Sequence, residues 1–495
     1  MACTTILVGK KASYDGSTLM ARNEDSPAGV FTPVRFRVVL PSDQPRQYRS
    51  VLNHFEMTLP ENPLRYTAVP DSPEKDGTWA AAGINSACVA MTATETITSN
   101  DRVLGADPLV TYRPAVGQPG EAGYEPEQIG GISEEDLVTI TLPYIRTARE
   151  GVLRLGQLHE RYGTSEMNAI GFSDPNEIWW FESIGGHHWM ARRVPDDAYV
   201  TMPNQLGIDS FDFDDAYGAG KEYLCSADLS DFVKAYHLDL TLKGNFNPRL
   251  AFGSHSDMDH TYNTPRAWAM QRYFNPHCEV WNGPSPRYTP ISDDLPWCRV
   301  PEAKITIEDI KEVLSNHYQT TPYDPYQKGA EECYRPIGVN RTSQIHILQL
   351  PPADDPTREP IQWISFASNV YNAVLPLFTQ VNESPSYVSY TPERVSTDSF
   401  YWTNRLIGAL ADPYFKECGA AIDHYREAVQ SQGHYLIHQA LEKKQSLSAD
   451  QAHTLLESTN EAIVQMAKKE SDACLSKVLD IASNHMRNAF SRSDA

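Results

Sequence analysis

The chain lacks what would mark a nucleic-acid or membrane protein. It has 42 Lys and Arg against 64 Asp and Glu, a formal net charge of −22, and no basic stripe interrupts the acidic excess. Such a surface repels phosphate backbones and anionic headgroups. No hydrophobic run approaches the about 18 residues of a membrane helix. The opening Met-Ala-Cys-Thr-Thr-Ile-Leu-Val-Gly has no basic segment ahead of an apolar one, so no secretory signal is read there. Cysteine is sparse. Cys3, Cys88, Cys225, Cys278, Cys298, Cys333, Cys418 and Cys474 lie scattered with no close pair. That spacing excludes a disulfide scaffold and a four-cysteine zinc site, and it fits free thiols in a reducing, cytoplasmic compartment. Also missing are a G-x-S-x-G elbow, an H-E-x-x-H helix, a G-x-x-x-x-G-K-[ST] loop and a Rossmann glycine fingerprint. His187 and His188 are adjacent, but neighbours on a strand point to opposite faces and cannot chelate one metal together. The classes left are those that need no metal and no dinucleotide.

What is present is a folded chain. Its 495 residues include 9 Trp and 25 Tyr, with 41% hydrophobic residues, enough for a large core. Thr4–Gly9 and Ser17–Ala21 flank the turn residues Asp15-Gly16 and read as a hairpin. Phe31–Leu40 alternates like a strand, and Trp79–Ala82 and Cys88–Thr94 form a second hairpin around Asn85. Residues 114–133 are rich in Gly and Pro and read as a surface loop. Apolar residues then recur at helical spacing from Leu137 to Leu155, interrupted by Pro143, which predicts a kink or two abutting helices. Strands are expected at 169–172, 178–183, 188–193, 199–202, 344–350 and 361–366, and helices at 228–236, 265–274 and 307–317. No strand signal follows Phe378, and from Tyr401 the pattern is helical. The expectation is an α+β layered protein, divided as 1–395 and a mainly helical extension, 396–495.

Cys3 is the residue with a chemical case. A cysteine made N-terminal carries its own base, because an α-amine with a reference pKa near 8 can accept the thiol proton without a histidine. Thr4-Thr5-Ile6-Leu7-Val8 would seat it on a buried strand. From its position alone, Cys3 reads first as a small buried hydrophobe.

Cys3-Thr4-Thr5, Asp15-Gly16-Ser17 and Arg22-Asn23-Glu24-Asp25 resemble the opening of the N-terminal-nucleophile hydrolases, in particular the C69 dipeptidases of lactic-acid bacteria, relatives of the choloylglycine hydrolases. The likeness extends through Asp107-Pro108-Leu109, Glu177-Ile178-Trp179-Trp180, Gly185-Gly186-His187-His188-Trp189, Val194-Pro195-Asp196-Asp197, Asn263-Thr264-Pro265-Arg266 and Tyr401-Trp402-Thr403-Asn404-Arg405. The resemblance implies a four-layer αββα fold and a cysteine-type dipeptidase acting on unmodified dipeptides without metal or organic cofactor. It also implies self-association, for which the aromatic 397–413 stretch is a candidate surface.

The resemblance makes Cys3 the nucleophile, with Arg22 biasing the sulfur toward thiolate and Asp25 bonding the α-amine. Asn85 matches an oxyanion-hole asparagine, Asn204 a second active-site asparagine and Arg266 a late arginine. The residues by themselves leave other readings open: a surface ion pair for Arg22 and Asp25, turn geometry for Asn85, a solvent-facing helix residue for Arg266. For Cys3 to act, Met1 and Ala2 must be removed, the second by attack of the Cys3 thiol on its own preceding carbonyl. The alternatives in function are a related amidase for conjugated bile acids or β-lactam side chains, a metallopeptidase, and a non-catalytic scaffold.

Overall fold

A computed structural model describes residues 3–73, 75 and 77–488, so the cleavage expected before Cys3 lies outside the described residues. The strands that organise it are β1 (Thr4–Val8), β2 (Thr18–Asp25), β3 (Ala82–Ile84), β4 (Ala90–Thr96), β5 (Asn168–Ser173), β6 (Ile178–Ile184), β7 (His188–Arg193), β8 (Tyr199–Met202), β9 (Tyr223–Cys225), β10 (Cys298–Arg299), β11 (Thr342–Leu350), β12 (Ile361–Phe366) and β13 (Leu375–Phe378). They form two antiparallel sheets, ordered β10-β8-β1-β2-β11-β12-β13 and β9-β7-β6-β5-β4-β3. The helices that cover them are α1 (Leu137–Thr141), α2 (Ala148–Tyr162), α3 (Thr264–Phe274), α4 (Ile307–Leu314), α5 (Phe400–Ala411), α6 (Phe415–Lys444) and α7 (Ala449–Asn484).

Local chemistry explains the first hairpin. The Asp15 carboxylate accepts from Ser17 N and Ser17 Oγ, both at 3.1 Å, and Gly16 takes a φ of +81° that a Cβ would resist. The turn sets β1 against β2 with Thr5 opposite Arg22. Pro143 ends α1 at Thr141, and α2 starts afresh on a Thr147 cap that accepts from Glu150 N at 3.1 Å. Phe31–Leu40 yields strand at Arg37–Val39 alone. Pro33 brings no N–H, and Phe36 N donates to Val388 O instead of entering a sheet.

Alternation along β1 and β2 decides which side chains meet. Ile6, Val8, Leu19 and Ala21 pack under Trp268 of α3 and Ile307 and Ile310 of α4. Leu7 and Met20 turn the other way, into an apolar layer shared with Ala90, Ala169 and Trp180 of the second sheet. That sheet's outer face, with Met91, Ile170, Phe172 and Phe181, lies under α1 and α2. Each sheet therefore has one face on the other sheet and one face under helices. Gly171 makes the sheet-to-sheet approach possible, since a Cβ there would stand 2.4 Å from Met20 Sδ.

The final helices are an integral cover of the first sheet. Ile463 and Val464 of α7 share a core with Leu375 and Phe378 of β13, and Asn460 bonds both Phe378 N (2.8 Å) and Phe378 O (2.9 Å), satisfying the sheet's edge. Phe400 and Tyr401 are fully buried in the same core, and Trp402 donates to Pro392 O at 2.7 Å. Within the aromatic 397–413 stretch, Phe400 and Tyr401 are thus committed to this core, while Trp402 and Leu410 are half-buried. Among the described residues, no helix is long and apolar enough to cross a membrane.

Candidate active site

Cys3 stands at the entry to β1. Side chains two residues apart share a strand face, so Cys3 and Thr5 look, with Leu7, toward the second sheet. Arg22, opposite Thr5 on β2 and opposite His346 on β11, looks the same way. Its Nη1 donates to Cys3 Sγ at 3.1 Å and to Thr94 O at 2.9 Å. Nη2 donates to Glu24 Oε2 (3.0 Å), Ala93 O (2.8 Å) and Ala81 O (3.3 Å), and Nε donates to Thr92 Oγ1 at 3.0 Å. The guanidinium thus spans the two sheets with every nitrogen engaged.

Thr92 Oγ1 accepts from Arg22 and shares a second hydrogen bond with His346 Nε2, 2.7 Å away. His346 Nδ1 lies 3.3 Å from Gln344 Oε1, and Gln344 Nε2 donates to Glu24 Oε2 at 3.4 Å. The five side chains close a ring that fixes Arg22. Burial first, and then the Arg22 charge, hold His346 neutral.

The backbone of Cys3 is held from the other side. Cys3 N donates to Asn204 Oδ1 at 3.1 Å, and Arg266 of α3 donates through Nη1 to Cys3 O. Arg266 Nη1 also bonds Thr4 Oγ1 at 2.6 Å, while Nη2 bonds Asn204 Oδ1 and Asn263 Oδ1, both at 2.7 Å. Asn204 Nδ2 reaches Thr96 O at 3.0 Å, tying the end of the second sheet to the same corner. Asp25 lies nearby, its Oδ1 accepting from Thr342 Oγ1 at 2.6 Å and its Oδ2 paired with Arg335. Cys3, Arg22, Asn204 and Arg266 are therefore bonded into one constellation, and Asp25 is coupled to it through charge. The Cys3 nitrogen bonds Asn204 where Asp25 was expected.

Asn85 belongs elsewhere. Its Nδ2 donates to Leu142 O (2.9 Å) and Ile145 O (2.8 Å), and its Oδ1 accepts from Ala87 N (2.9 Å) and Val89 N (3.1 Å). Every amide position is used in pinning the β3–β4 turn to the segment ahead of α2. Ile84 pairs with Ala90, whereas Arg22 meets the strand at Thr92–Thr94, two to four residues further on. In this structure the Asn85 amide serves the turn and is not bonded to the Cys3 constellation.

Burial dominates the electrostatics. It pushes the Cys3 thiol up to about 12, although Arg22 pulls the other way. The sulfur is thus a thiol until a base takes its proton during attack. His187 and His188 turn out to be structural: both ring Nδ1 atoms reach Asp107, at 3.3 and 2.8 Å, as do their two backbone N–H groups. Among the described residues no group of three or more His, Cys, Asp or Glu is placed to hold a metal ion.

The family model for Peptidase family C69 matches residues 2–428. The chain belongs to peptidase family C69. It is 49% identical to "Dipeptidase" of Bifidobacterium longum and 53% identical to "Probable dipeptidase A" of Streptococcus pyogenes serotype M3, in each case over 100% of both chains. It is 42% identical to "Dipeptidase A" of Lactobacillus helveticus over 97% of this chain and 96% of that one.

This C69 chain places at its constellation residues that sequence reading passed over: Thr92, His346, Arg335 and above all Glu95. Glu95 is fully buried, with Oε2 accepting from Thr5 Oγ1 at 2.7 Å. It faces Thr5 because the ladder slips: Ala169 pairs with Glu95 but Ile170 with Ala93, leaving Thr94 as an extra residue. Without that bulge, alternation would send Glu95 outward with Met91 and Ala93. The available signal was a carboxylate alone in the Ala-Met-Thr-Ala-Thr-Glu-Thr run, since Glu is rarely buried without a partner.

Burial pushes the Glu95 carboxyl up from 4.5 to about 7, against the pull of Arg266, the Thr5 bond and Arg22. The folded C69 chain therefore binds this proton more tightly than the unfolded one does. Its contribution to stability is greatest below 4.5, declines as pH rises toward 7, and is flat above. Glu95→Gln removes that loss. In urea titrations the variant is expected to match the wild type at pH 4.5 and to exceed it by roughly 3 kcal/mol at pH 8.

Proposed function

We propose that this chain is a cysteine-type dipeptidase that cleaves unmodified dipeptides through Cys3, on the four-layer αββα fold of N-terminal-nucleophile hydrolases. The observation that carries the reading is the Arg22 N–H on Cys3 Sγ at 3.1 Å together with the Asn204 carboxamide oxygen on Cys3 N at 3.1 Å. One residue thus presents a nucleophile and a nitrogen, each already held by a suitable partner. Two facing sheets under outer helices support the fold reading, and the names of the relatives support the substrate class.

Once Cys3 is N-terminal, its α-amine takes the thiol proton as Sγ bonds to the substrate carbonyl carbon. Asn204 Oδ1 steadies the ammonium that forms, and Arg22 offsets charge on the sulfur. The amine passes the proton to the departing nitrogen, the C–N bond breaks, and a thioester remains. Water then attacks the thioester with the same amine accepting its proton, which releases the acid and restores the thiol. Arg266, on Cys3 O and Asn204 at once, keeps the nucleophile and the base in register.

The reading predicts that the purified protein hydrolyses Ala-Ala and Leu-Leu, that chelator leaves the rate unchanged, and that a glycine-conjugated bile acid is turned over at least about 100-fold more slowly in kcat/KM. Preferential release of glycine from the bile acid conjugate would transfer the chain to the related amidases instead.

A further inference from the structure

The dipeptidase reading leaves open how a substrate's free N-terminus is recognised, and the bulge on β4 supplies an answer that rests on that reading. Glu95 is 0% exposed, and while Oε2 is taken by Thr5, Oε1 has no hydrogen-bond partner among the described residues. A buried carboxylate oxygen without a donor is costly unless a ligand supplies one.

Its position fits one ligand atom. Thr5 follows Cys3 by two residues on the same strand face, so the Glu95 contact lies about 6.6 Å along β1 from the nucleophile. When Sγ bonds a substrate carbonyl, the α-nitrogen of that same residue lies about 4 Å from the sulfur, and a charge-assisted N–H···O bond adds about 2.8 Å. The carboxylate thus lies on the nucleophile's strand face, at a spacing along β1 of the same order as that reach. We infer that Glu95 Oε1 receives the α-ammonium of the residue acylating Cys3, so that this site selects peptides whose first carbonyl belongs to a free N-terminal residue. Such a contact restricts attack to the first peptide bond, because a longer N-terminal extension would have to carry its chain through the buried carboxylate. An arriving ammonium also compensates the burial that otherwise raises this carboxyl, and Arg266 and Arg22 favour its ionised form.

The test uses full-length active enzyme, Ala-Ala, and propionyl-Ala, which has the same skeleton without the ammonium. Wild type is expected to prefer Ala-Ala by at least about 100-fold in kcat/KM, the scale set by leaving a buried charge unpaired. Glu95→Gln is expected to bring the two substrates within about tenfold of each other, chiefly through a raised KM for Ala-Ala. Glu95→Asp, which keeps the charge but shortens the reach, falls between them. Should wild type cleave propionyl-Ala as readily as Ala-Ala, or Glu95→Gln or Glu95→Asp keep the wild-type preference, the assignment is overturned. The wild-type comparison can overturn the assignment even if a variant does not fold. Failure to cleave Ala-Ala at all would instead overturn the dipeptidase reading.

Discussion

Cys3→Ala is expected to abolish dipeptide hydrolysis, lowering kcat/KM for Ala-Ala by about 10⁴-fold or more, the scale seen when a covalent nucleophile is removed. The fold should survive, because the change trades a small buried thiol for a methyl and leaves both backbone bonds of residue 3 in place. Circular dichroism and a thermal midpoint within a few degrees of wild type would establish that. Full activity in Cys3→Ala would remove the nucleophile from the account and return the chain to the metallopeptidase alternative.

Arg22→Met is expected to have the next largest effect, and on two quantities at once. It takes a positive charge and a donor away from Cys3 Sγ, so kcat/KM should fall by about 10²- to 10³-fold, with the acidic limb of the pH profile moving to higher pH. It also strands Glu24, whose carboxylate is buried and pairs with Arg22 at 3.0 Å. Breaking a buried pair from one side costs about 3–5 kcal/mol. Pairing Arg22→Met with Glu24→Gln separates the two effects. The double variant should regain most of the stability lost on urea unfolding while its activity stays low. Recovery of activity along with stability would reduce Arg22 to a structural role.

The first hairpin was legible because its signals are local: two apolar runs and Asp15-Gly16-Ser17 between them. Pro143 was legible for the same reason, since a missing N–H acts within one turn of helix. The closing helices could be read as helices but not placed, because periodicity states which face is buried and not what buries it. The cover they give β13 depends on Asn460 reaching Phe378 across 82 residues.

The site divides along the same line. The Cys3, Arg22, Asn204 and Arg266 cluster was accessible through resemblance, and the structure brings these four residues together. Asn85 could not be resolved from sequence, as an asparagine in a tight turn serves geometry and chemistry with the same side chain. Arg335, which holds Asp25 from 310 residues away, leaves no local trace. Glu95 was hidden by the one-residue slip at Thr94, which reverses the face that alternation assigns.

The measurement that tests the central claim most directly is intact mass of the active enzyme, resting and acid-quenched during turnover of Leu-Leu. The account predicts a chain beginning at Cys3, and in the quenched sample a fraction heavier by one leucyl group, lost on treatment with hydroxylamine. A fully active chain that still carries Ala2 ahead of Cys3 would contradict it, because an acylated nitrogen cannot serve as the base.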